Sequence, residues 1–268
     1  MKLKNVLYVV GSPRSGSTLV YNAICSSNLF NPSLPENHIV SNFAKYFVQQ
    51  LLRNEKEKNL IFESNDDTLN FFRLCINTYF EKISKKYLKE NLALKSILLI
   101  SEIHILGILF PEIKVVIMIR DPRDIITSLI NVSKKQEENN LKPQYPRDMK
   151  ILSNFINENY KNFFNSINSD FFKKNTFIVK YEDFVFDHKK ILNDIMKKFR
   201  IDFSYKDKHN YWDNSLNIYS ENKNPFHSNL WNKPISKSKI QSYKNFLSKN
   251  EIIEVNEYCK KIINFFNY

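Results

Sequence analysis

The chain has 268 residues, 43% of them hydrophobic, so it can bury one substantial core, and no linker or repeat divides residues 1–268 into separate domains. No apolar run reaches the roughly eighteen residues of a membrane-spanning helix, so we expect no membrane partner. The net charge of +12 is spread along the chain without an arginine-rich tract, so we expect no nucleic-acid partner but a surface that attracts anionic ligands.

The first predicted element is a buried parallel strand at residues 6–10, where the sequence VLYVV is apolar and mostly β-branched. It follows Met1 so closely that no signal peptide fits before it, and we expect a cytoplasmic protein. The three cysteines are widely spaced and show no metal-ligand rhythm, which is typical of reduced structural thiols. We therefore expect no metal site.

A loop with the sequence GSPRSGST follows this strand and precedes a predicted helix at residues 17–27. Gly11 and Gly16 are two of only three glycines in the chain, and glycine is needed where the backbone turns sharply or approaches a ligand closely. A strand, such a loop and a helix N-terminus direct free amides and the positive end of the helix dipole to one point. The sequence therefore predicts an anion site. Its predicted residues are Ser12, Pro13, Arg14, Ser15, Gly16, Ser17 and Thr18.

This loop departs from the pattern of nucleoside triphosphate binding. The two glycines have the Walker spacing, but Ser17 stands where that pattern has the lysine that reaches the outer phosphates. The substitution argues against an ordinary ATPase or kinase. Arg14 supplies a cation inside the loop instead, and its planar guanidinium can bind an oxyanion held over the helix. The alternative is a surface turn with Arg14 in solvent.

Strands and helices alternate along the rest of the chain, which predicts an α/β fold with a central parallel sheet and helices on both faces. Further strands are predicted at residues 92–97, 114–119 and 176–181. Further helices are predicted at residues 39–53, 67–89, 101–109, 121–133, 148–169 and 189–199, with two more in the tail 236–266.

A second candidate site follows the strand at residues 114–119, where the sequence reads IRDPRDIITS. Asp121 is predicted to cap a helix that has Pro122 at its first position. Arg120 lies at the carboxyl end of the strand, where ligands gather in parallel sheets, and Ser128 lies about two turns into the helix. The alternative is that Arg120 pairs with a capping aspartate and Ser128 is an ordinary surface serine.

Both motifs resemble those of sulfotransferases. GSPRSGSTLV resembles the loop that binds the 5'-phosphosulfate of the donor 3'-phosphoadenosine 5'-phosphosulfate (PAPS), and IRDPRDIITS resembles the motif that binds its 3'-phosphate. FIVKYEDFVFDHKKIL and the C-terminal stretch KPISKSKIQSYKNFLSKNEIIEVNEYCKKIINFFNY are also similar to the family, so the similarity covers nearly the whole chain.

The resemblance implies a P-loop-like three-layer sandwich and a set of donor-binding residues. Arg120 and Ser128 would hold the 3'-phosphate, and Tyr181 would lie against the adenine; the alternative for Tyr181 is a buried tyrosine at a strand end. Ser228 and Lys233 would belong to a loop that closes over the donor.

The resemblance also implies the catalytic residues. Lys95, in LALKSI, resembles the lysine that lies near the transferred group; the alternative is a solvated lysine at a strand end. Cytosolic small-molecule sulfotransferases have a histidine two residues later, but this chain has Ile97. LPENH resembles the Pro-Glu-Thr-His stretch of tyrosylprotein, glycan and bacterial sulfotransferases, which implies that Glu36 is the general base and that His38 orients it or the acceptor. The alternatives are an exposed loop glutamate and a histidine at a helix entry.

Together these motifs imply a metal-free transfer of a sulfuryl group to a hydroxyl, or to an amine, with Arg14 and Lys95 stabilising the transferring group. The expected acceptor is a small molecule, a natural product or a saccharide. Two alternatives are an atypical P-loop kinase and a nucleotide-binding scaffold that lacks catalysis.

Overall fold

A computed structural model describes residues 3–53, 60–202 and 233–268. In these residues the chain forms four strands: β1 (Asn5–Gly11), β2 (Asn91–Lys95), β3 (Lys114–Ile119) and β4 (Thr176–Lys180). They pair in parallel in the order β2-β1-β3-β4. Parallel neighbours cannot be joined by tight hairpins, so each connection crosses a face of the sheet and carries helices.

The helices of the described residues lie in these connections and after β4. They are α1 (Ser17–Cys25), α2 (Ile39–Leu51), α3 (Asn65–Tyr87), α4 (Ile103–Leu109), α5 (Pro122–Glu138), α6 (Met149–Ser166), α7 (Asp170–Asn175), α8 (Tyr181–Phe186), α9 (His188–Phe199), α10 (Lys249–Tyr258) and α11 (Lys260–Phe266). Three 3-10 turns cover Ile97–Glu102, Lys237–Lys239 and Ser242–Asn245. None of these helices is long and apolar enough to cross a membrane.

The sheet has a separate hydrophobic core on each face. Successive side chains of a strand point to opposite faces, and Tyr8 and Ile117 accordingly belong to one core while Val9 and Val116 belong to the other. The first core is covered by α2 to α7 with α10 and α11, and the second by α1, α8 and α9. This arrangement confirms the predicted three-layer sandwich.

The predicted strands agree with the observed ones to within two residues, and the differences lie at their ends. The strand predicted to run to Ile97 ends at Lys95, because the chain turns there into the 3-10 turn Ile97–Glu102. Tyr181 is not the end of β4 but the first residue of α8.

The prediction of helix throughout the tail was wrong for its first part. The two helices begin only at Lys249, after Ser248, which forms a capping box with Glu251. Residues 237–245 contain the two short 3-10 turns instead, and the backbone amides of Gln241 and Tyr243 bind the side chain of Asp124. A tertiary contact therefore overrides the local helical pattern.

Asn31 completes the hydrogen bonding of β2, which lies at an edge of the described sheet. The fully buried Asn31 accepts a hydrogen bond from the Ala93 amide at 2.8 Å and donates one to the Ala93 carbonyl at 3.0 Å. Its side-chain amide thus takes the place of a neighbouring strand, and the buried edge has no unpaired groups at this point.

We expect Asn31→Ala to lower the free energy of unfolding by about 3 kcal/mol, because it leaves two buried backbone groups without partners. Urea denaturation followed by circular dichroism measures the change. The control is Asn28→Ala, at an exposed neighbouring asparagine, which should cost less than about 0.5 kcal/mol. Equal effects of the two substitutions would contradict the role assigned to Asn31.

Candidate active site

The glycine loop joins β1 to α1, and its two glycines occupy positions where a side chain does not fit. Gly11 has φ 154°, and a Cβ atom there would lie 2.6 Å from the carbonyl oxygen of Met118. Gly16 has φ 91°, and a Cβ atom there would lie 2.5 Å from the ring of Tyr181. Both residues are needed because the loop turns in the left-handed region while packed against β3 and the start of α8. Gly16 is also the N-cap of α1, and no side chain caps this helix N-terminus.

Arg14 brings the two sequence motifs together. Its backbone is left-handed, with φ 68°, and its Nε donates a hydrogen bond to Ser128 Oγ at 3.1 Å. Arg120 Nη1 in turn donates to the carbonyl oxygen of Arg14 at 3.1 Å. Contacts of two arginines therefore join the glycine loop, the end of β3 and the helix α5.

The guanidinium groups of Arg14 and Arg120 differ in their carboxylate partners. Burial lowers the pKa of Arg14, and the nearby charge of Arg120 lowers it further. Among the described residues Arg14 forms no salt bridge, and the nearest carboxylate oxygen to Arg120 is that of Asp124, at 3.9 Å from Nη2. The charge of Arg14 thus has no carboxylate partner there, and the charge of Arg120 is only partly compensated by Asp124.

Two buried donors in this region have no hydrogen-bond partner among the described residues: Arg120 Nε and Ser15 Oγ. A buried donor without an acceptor costs free energy, so such atoms are rare in folded proteins unless a ligand or water satisfies them. Both lie in the two segments that the sequence predicts to bind anions.

Arg120 is fixed from several sides. Its guanidinium lies over the ring of Tyr181 with 4.3 Å to the centroid, and its Nη2 donates to the carbonyl oxygen of Lys239 at 2.6 Å. Tyr181 is itself buried and packs against Gly16. The guanidinium therefore contacts the glycine loop, the first turn of α8 and the C-terminal segment at once.

Glu36 and Lys95 form a partly buried ion pair at the carboxyl end of β2. Lys95 Nζ lies 2.6 Å from Glu36 Oε2, and the side chains are 11% and 24% exposed. The other carboxylate oxygen accepts a hydrogen bond from the Ile97 amide at 2.6 Å. Glu36 is therefore not an exposed loop residue, and Lys95 is not a solvated lysine.

His38 lies beside this ion pair in sequence and contacts the same turn. Its Nδ1 lies 3.1 Å from the hydroxyl of Ser96, which is fully buried. This contact fixes the orientation of the imidazole and leaves Nε2 for another partner. The two residues of the LPENH segment that we predicted to act in catalysis thus both bind the segment that follows β2.

The remaining predicted residues are placed as follows. Ser12 and Ser17 are buried in the glycine loop, and Pro13 and Thr18 are half-buried there. Lys233 is exposed at the start of the described C-terminal part, and Ser228 lies outside the described residues. Their predicted roles in donor binding stay predictions. Among the residues that the structure describes, no three His, Cys, Asp or Glu side chains form a cluster that could hold a metal ion.

Sequence reasoning missed two polar contacts of this region. Asn159 of α6 donates to Ser12 Oγ at 3.4 Å, and Asp124 of α5 binds the segment at residues 241–243. In the sequence Asp124 is an acidic residue near a predicted helix start, and nothing there indicates partners more than one hundred residues away. Its burial, with a relative exposure of 1%, is visible only in the folded chain.

Several solved structures that resemble this chain are sulfotransferases. The chain is similar to the sulfotransferase domain from the curacin biosynthetic pathway, with a TM-score of 0.60 and 18% identity over 96% of this chain and 98% of that one. For the sulfotransferase domain from the olefin synthase of Synechococcus PCC 7002 the values are 0.59 and 19%, over 100% and 96%. Mouse sulfotransferase SULT7A1, complexed with PAP, gives 0.50 and 12%, over 98% and 86%.

A comparison with curated proteins gave no match. The sequence profile described as the sulfotransferase family matches residues 7–205, a range that includes both basic motifs and the Glu36–Lys95 pair. The chain therefore belongs to the sulfotransferase family, and it is a transferase of that class.

Proposed function

We propose that this protein transfers a sulfuryl group from PAPS to a hydroxyl, or to an amine, of a small molecule, a natural product or a saccharide. The observation that carries the proposal is the contact of the two basic motifs through Arg14, Ser128 and Arg120. A donor with a phosphosulfate at one end and a 3'-phosphate at the other needs two adjacent anion sites of this kind.

The residues present fit such a donor. Buried Ser15 Oγ and Arg120 Nε lack acceptors within the described chain, and phosphate or sulfate oxygens would supply them. In the proposed assignment the loop from Ser12 to Thr18 binds the phosphosulfate and Arg120 with Ser128 binds the 3'-phosphate. The mouse sulfotransferase with the same fold was solved with PAP, which supports a donor of this class.

Tyr181 is assigned to the adenine, and Ser228 and Lys233 to the closing loop. The position of Tyr181 supports its assignment, because its ring packs against Gly16 and under the guanidinium of Arg120, between the two proposed anion sites. The ring itself is buried with the guanidinium over it, so the assignment rests on this position and not on an open stacking face.

The proposed chemical roles follow from the charged residues at the end of β2 and in the glycine loop. PAPS, when bound, supplies the sulfuryl group. Arg14 and Lys95 then stabilise the negative charge of the transferring group, since such reactions depend mainly on positioning and electrostatics. Glu36 takes the proton of the acceptor hydroxyl. Lys95 Nζ donates a hydrogen bond to Glu36 Oε2. A shift of the lysine ammonium group toward the donor therefore frees Oε2 to accept this proton.

The acceptor is assigned to the space beside His38. Ser96 holds this imidazole, so its free nitrogen can orient an acceptor hydroxyl. We assign acceptor recognition to the segments 39–90 and 131–170, because the donor motifs lie outside them. A screen of hydroxyl and amine compounds with labelled donor identifies the acceptor.

Two observations argue against an atypical kinase: the chain belongs to the sulfotransferase family, and Ser17 stands in place of the Walker lysine. A scaffold without catalysis would keep the donor site but would not depend on Glu36. Binding and activity experiments therefore separate the three possibilities.

The donor site predicts strong stabilisation by 3',5'-adenosine bisphosphate (PAP), the product left after transfer, without magnesium. At about one hundred times the dissociation constant a ligand adds about 2.7 kcal/mol, so we expect the melting temperature to rise by about 5 °C or more. Differential scanning fluorimetry with EDTA measures the shift, with ATP and magnesium as the comparison. A shift with ATP and magnesium but none with PAP would contradict the proposal.

Glu36→Gln is expected to lower kcat by about 10²- to 10⁴-fold without weakening PAP binding, because it removes the proton acceptor and the negative partner of Lys95 but leaves the two donor motifs in place. Initial rates with labelled donor and calorimetric titration with PAP measure the two effects. Glu90→Gln is the matched control, since Glu90 pairs with Lys4 near the opposite end of β2. Unchanged kcat in Glu36→Gln would show that this carboxylate is not the base.

Arg14→Ala is expected to lower kcat more than it weakens PAP binding, because PAP lacks the group that Arg14 is proposed to stabilise. Arg14→Lys should recover part of kcat, since it restores the charge but not the planar guanidinium. Equal losses in kcat and in PAP affinity would mean that Arg14 only binds the donor.

A further inference from the structure

Asp124 is a buried carboxylate in the first turn of α5 that has no part in the proposed chemistry. All three of its hydrogen bonds beyond its own helix come from one distant segment. Oδ2 accepts from the Gln241 amide at 2.8 Å, and Oδ1 accepts from the Ser242 hydroxyl at 3.0 Å and the Tyr243 amide at 3.1 Å. The side chain is 1% exposed, so these bonds are shielded from water.

The same segment also contacts Arg120. The carbonyl oxygen of Lys239 accepts a hydrogen bond from Arg120 Nη2 at 2.6 Å, and the amide of Ile240 binds the carbonyl of Lys237 at 3.0 Å. Gln241 has a left-handed backbone with φ 55°, so the chain turns between these contacts. Residues 239–243 therefore form a turn with Arg120 at one end and Asp124 at the other.

This turn restricts the guanidinium of Arg120. Nη1 is directed to the carbonyl of Arg14 and Nη2 to that of Lys239, which leaves the buried Nε without a partner among the described residues. If the Lys239 carbonyl moved, Nη2 would lose its acceptor and the plane of the guanidinium could rotate. The direction of the free Nε thus depends on where the turn is held.

We propose that Asp124 is a positioning residue for recognition of the 3'-phosphate of the donor. It fastens residues 239–243, and the fastened turn holds the Lys239 carbonyl against Arg120 and fixes the direction of the guanidinium. The proposal rests on the proposed function, in which Arg120 binds the 3'-phosphate.

A carboxylate is needed for this role because all three partners are donors. Asparagine has one acceptor oxygen and one NH2 group. In Asp124→Asn at least one of the three donors would therefore face a donor, at nearly unchanged side-chain volume. The substitution also removes a negative charge 3.9 Å from Arg120 Nη2, which by itself would favour anion binding, so a weaker 3'-phosphate contribution reports the loss of the turn and not the loss of the charge.

The test compares PAP with 5'-AMP, which lacks the 3'-phosphate. Isothermal titration calorimetry gives the ratio of the dissociation constant for 5'-AMP to that for PAP, which isolates the contribution of the 3'-phosphate. A general loss of structure weakens the binding of both ligands to the same extent and leaves this ratio unchanged. We expect Asp124→Asn to lower the ratio by about 10-fold, the size of one charge-assisted hydrogen bond, with 5'-AMP affinity within about twofold of the parent protein.

Three further variants complete the experiment. Ser242→Ala removes one donor from a half-buried position, so it should fold even if Asp124→Asn does not, and it should lower the ratio by about threefold. Arg120→Ala should remove most of the preference for PAP over 5'-AMP. The double variant Arg120→Ala with Asp124→Asn should have the same ratio as Arg120→Ala alone. Glu251→Gln is the matched control: Glu251 anchors the same C-terminal part through Arg147 and the cap of α10, and the ratio should stay unchanged.

The proposal is overturned if Arg120→Ala lowers the ratio while Asp124→Asn, or Ser242→Ala where the former does not fold, leaves it within about twofold of the parent value. It is also overturned if Glu251→Gln lowers the ratio as much as Asp124→Asn, because general loosening of the C-terminal part would then explain both. If the parent protein does not bind PAP, or if Arg120→Ala leaves the ratio unchanged, the donor assignment itself fails and this proposal fails with it.

Discussion

The buried guanidinium of Arg120 is the contact on which the arrangement of the site depends. It joins the glycine loop through the Arg14 carbonyl, the first turn of α8 through the ring of Tyr181, and the C-terminal segment through the Lys239 carbonyl. A buried charge is costly unless it is well solvated by the protein. Here the groups in direct contact are two neutral carbonyls and a ring face, and the buried Asp124 carboxylate lies 3.9 Å from Nη2. The charge is therefore held in place and only partly compensated, which leaves it able to bind an incoming anion.

The register of the parallel sheet decides which residues meet around this charge. β1 pairs with β2 so that Val9 lies opposite Lys95, and with β3 so that Gly11 lies opposite Met118. The three strands therefore end side by side, and the loop after β1 lies between the Glu36–Lys95 pair and Arg120. Close packing of Gly11 on the Met118 carbonyl brings the loop to β3 without a gap. The region at the carboxyl ends of these three strands thus contains the proposed base, both proposed cations for the transferring group, and the second anion site.

The strands and the glycine loop could be predicted from the sequence because the signals for them are local. The strands at 6–10 and 114–119 are short apolar runs, and Gly11 and Gly16 mark the sharp turns between strand and helix. The ion pair of Glu36 and Lys95 was not predicted, since 59 residues separate the two side chains. They meet because hydrogen bonds of Asn31 to Ala93 and of the Asn37 amide to the Lys95 carbonyl hold the segment 31–37 beside β2. The tail from residue 236 was misread for a related reason: its pattern is helical, but the amides of Gln241 and Tyr243 bind Asp124 instead of closing helical turns. Long-range polar contacts of this kind leave no periodic trace in a sequence.

The distribution of charge explains why a polyanion should enter on one side of the site. At the end of β2 the charge of Lys95 is balanced by Glu36 at 2.6 Å. At the glycine loop, Arg14 and Arg120 lie near each other, and burial together with this repulsion lowers the pKa of Arg14. Arginine remains protonated even so, because its ordinary pKa is far above neutrality. The repulsion is thus present in the ligand-free protein and is relieved when an anion lies between the two guanidinium groups. A site built in this way gives up some folding stability in exchange for anion affinity. The anion is expected on the glycine-loop side because Glu36 lies only 2.6 Å from Lys95, whereas Asp124 lies 3.9 Å from Arg120 and Arg14 has no salt bridge within the described chain.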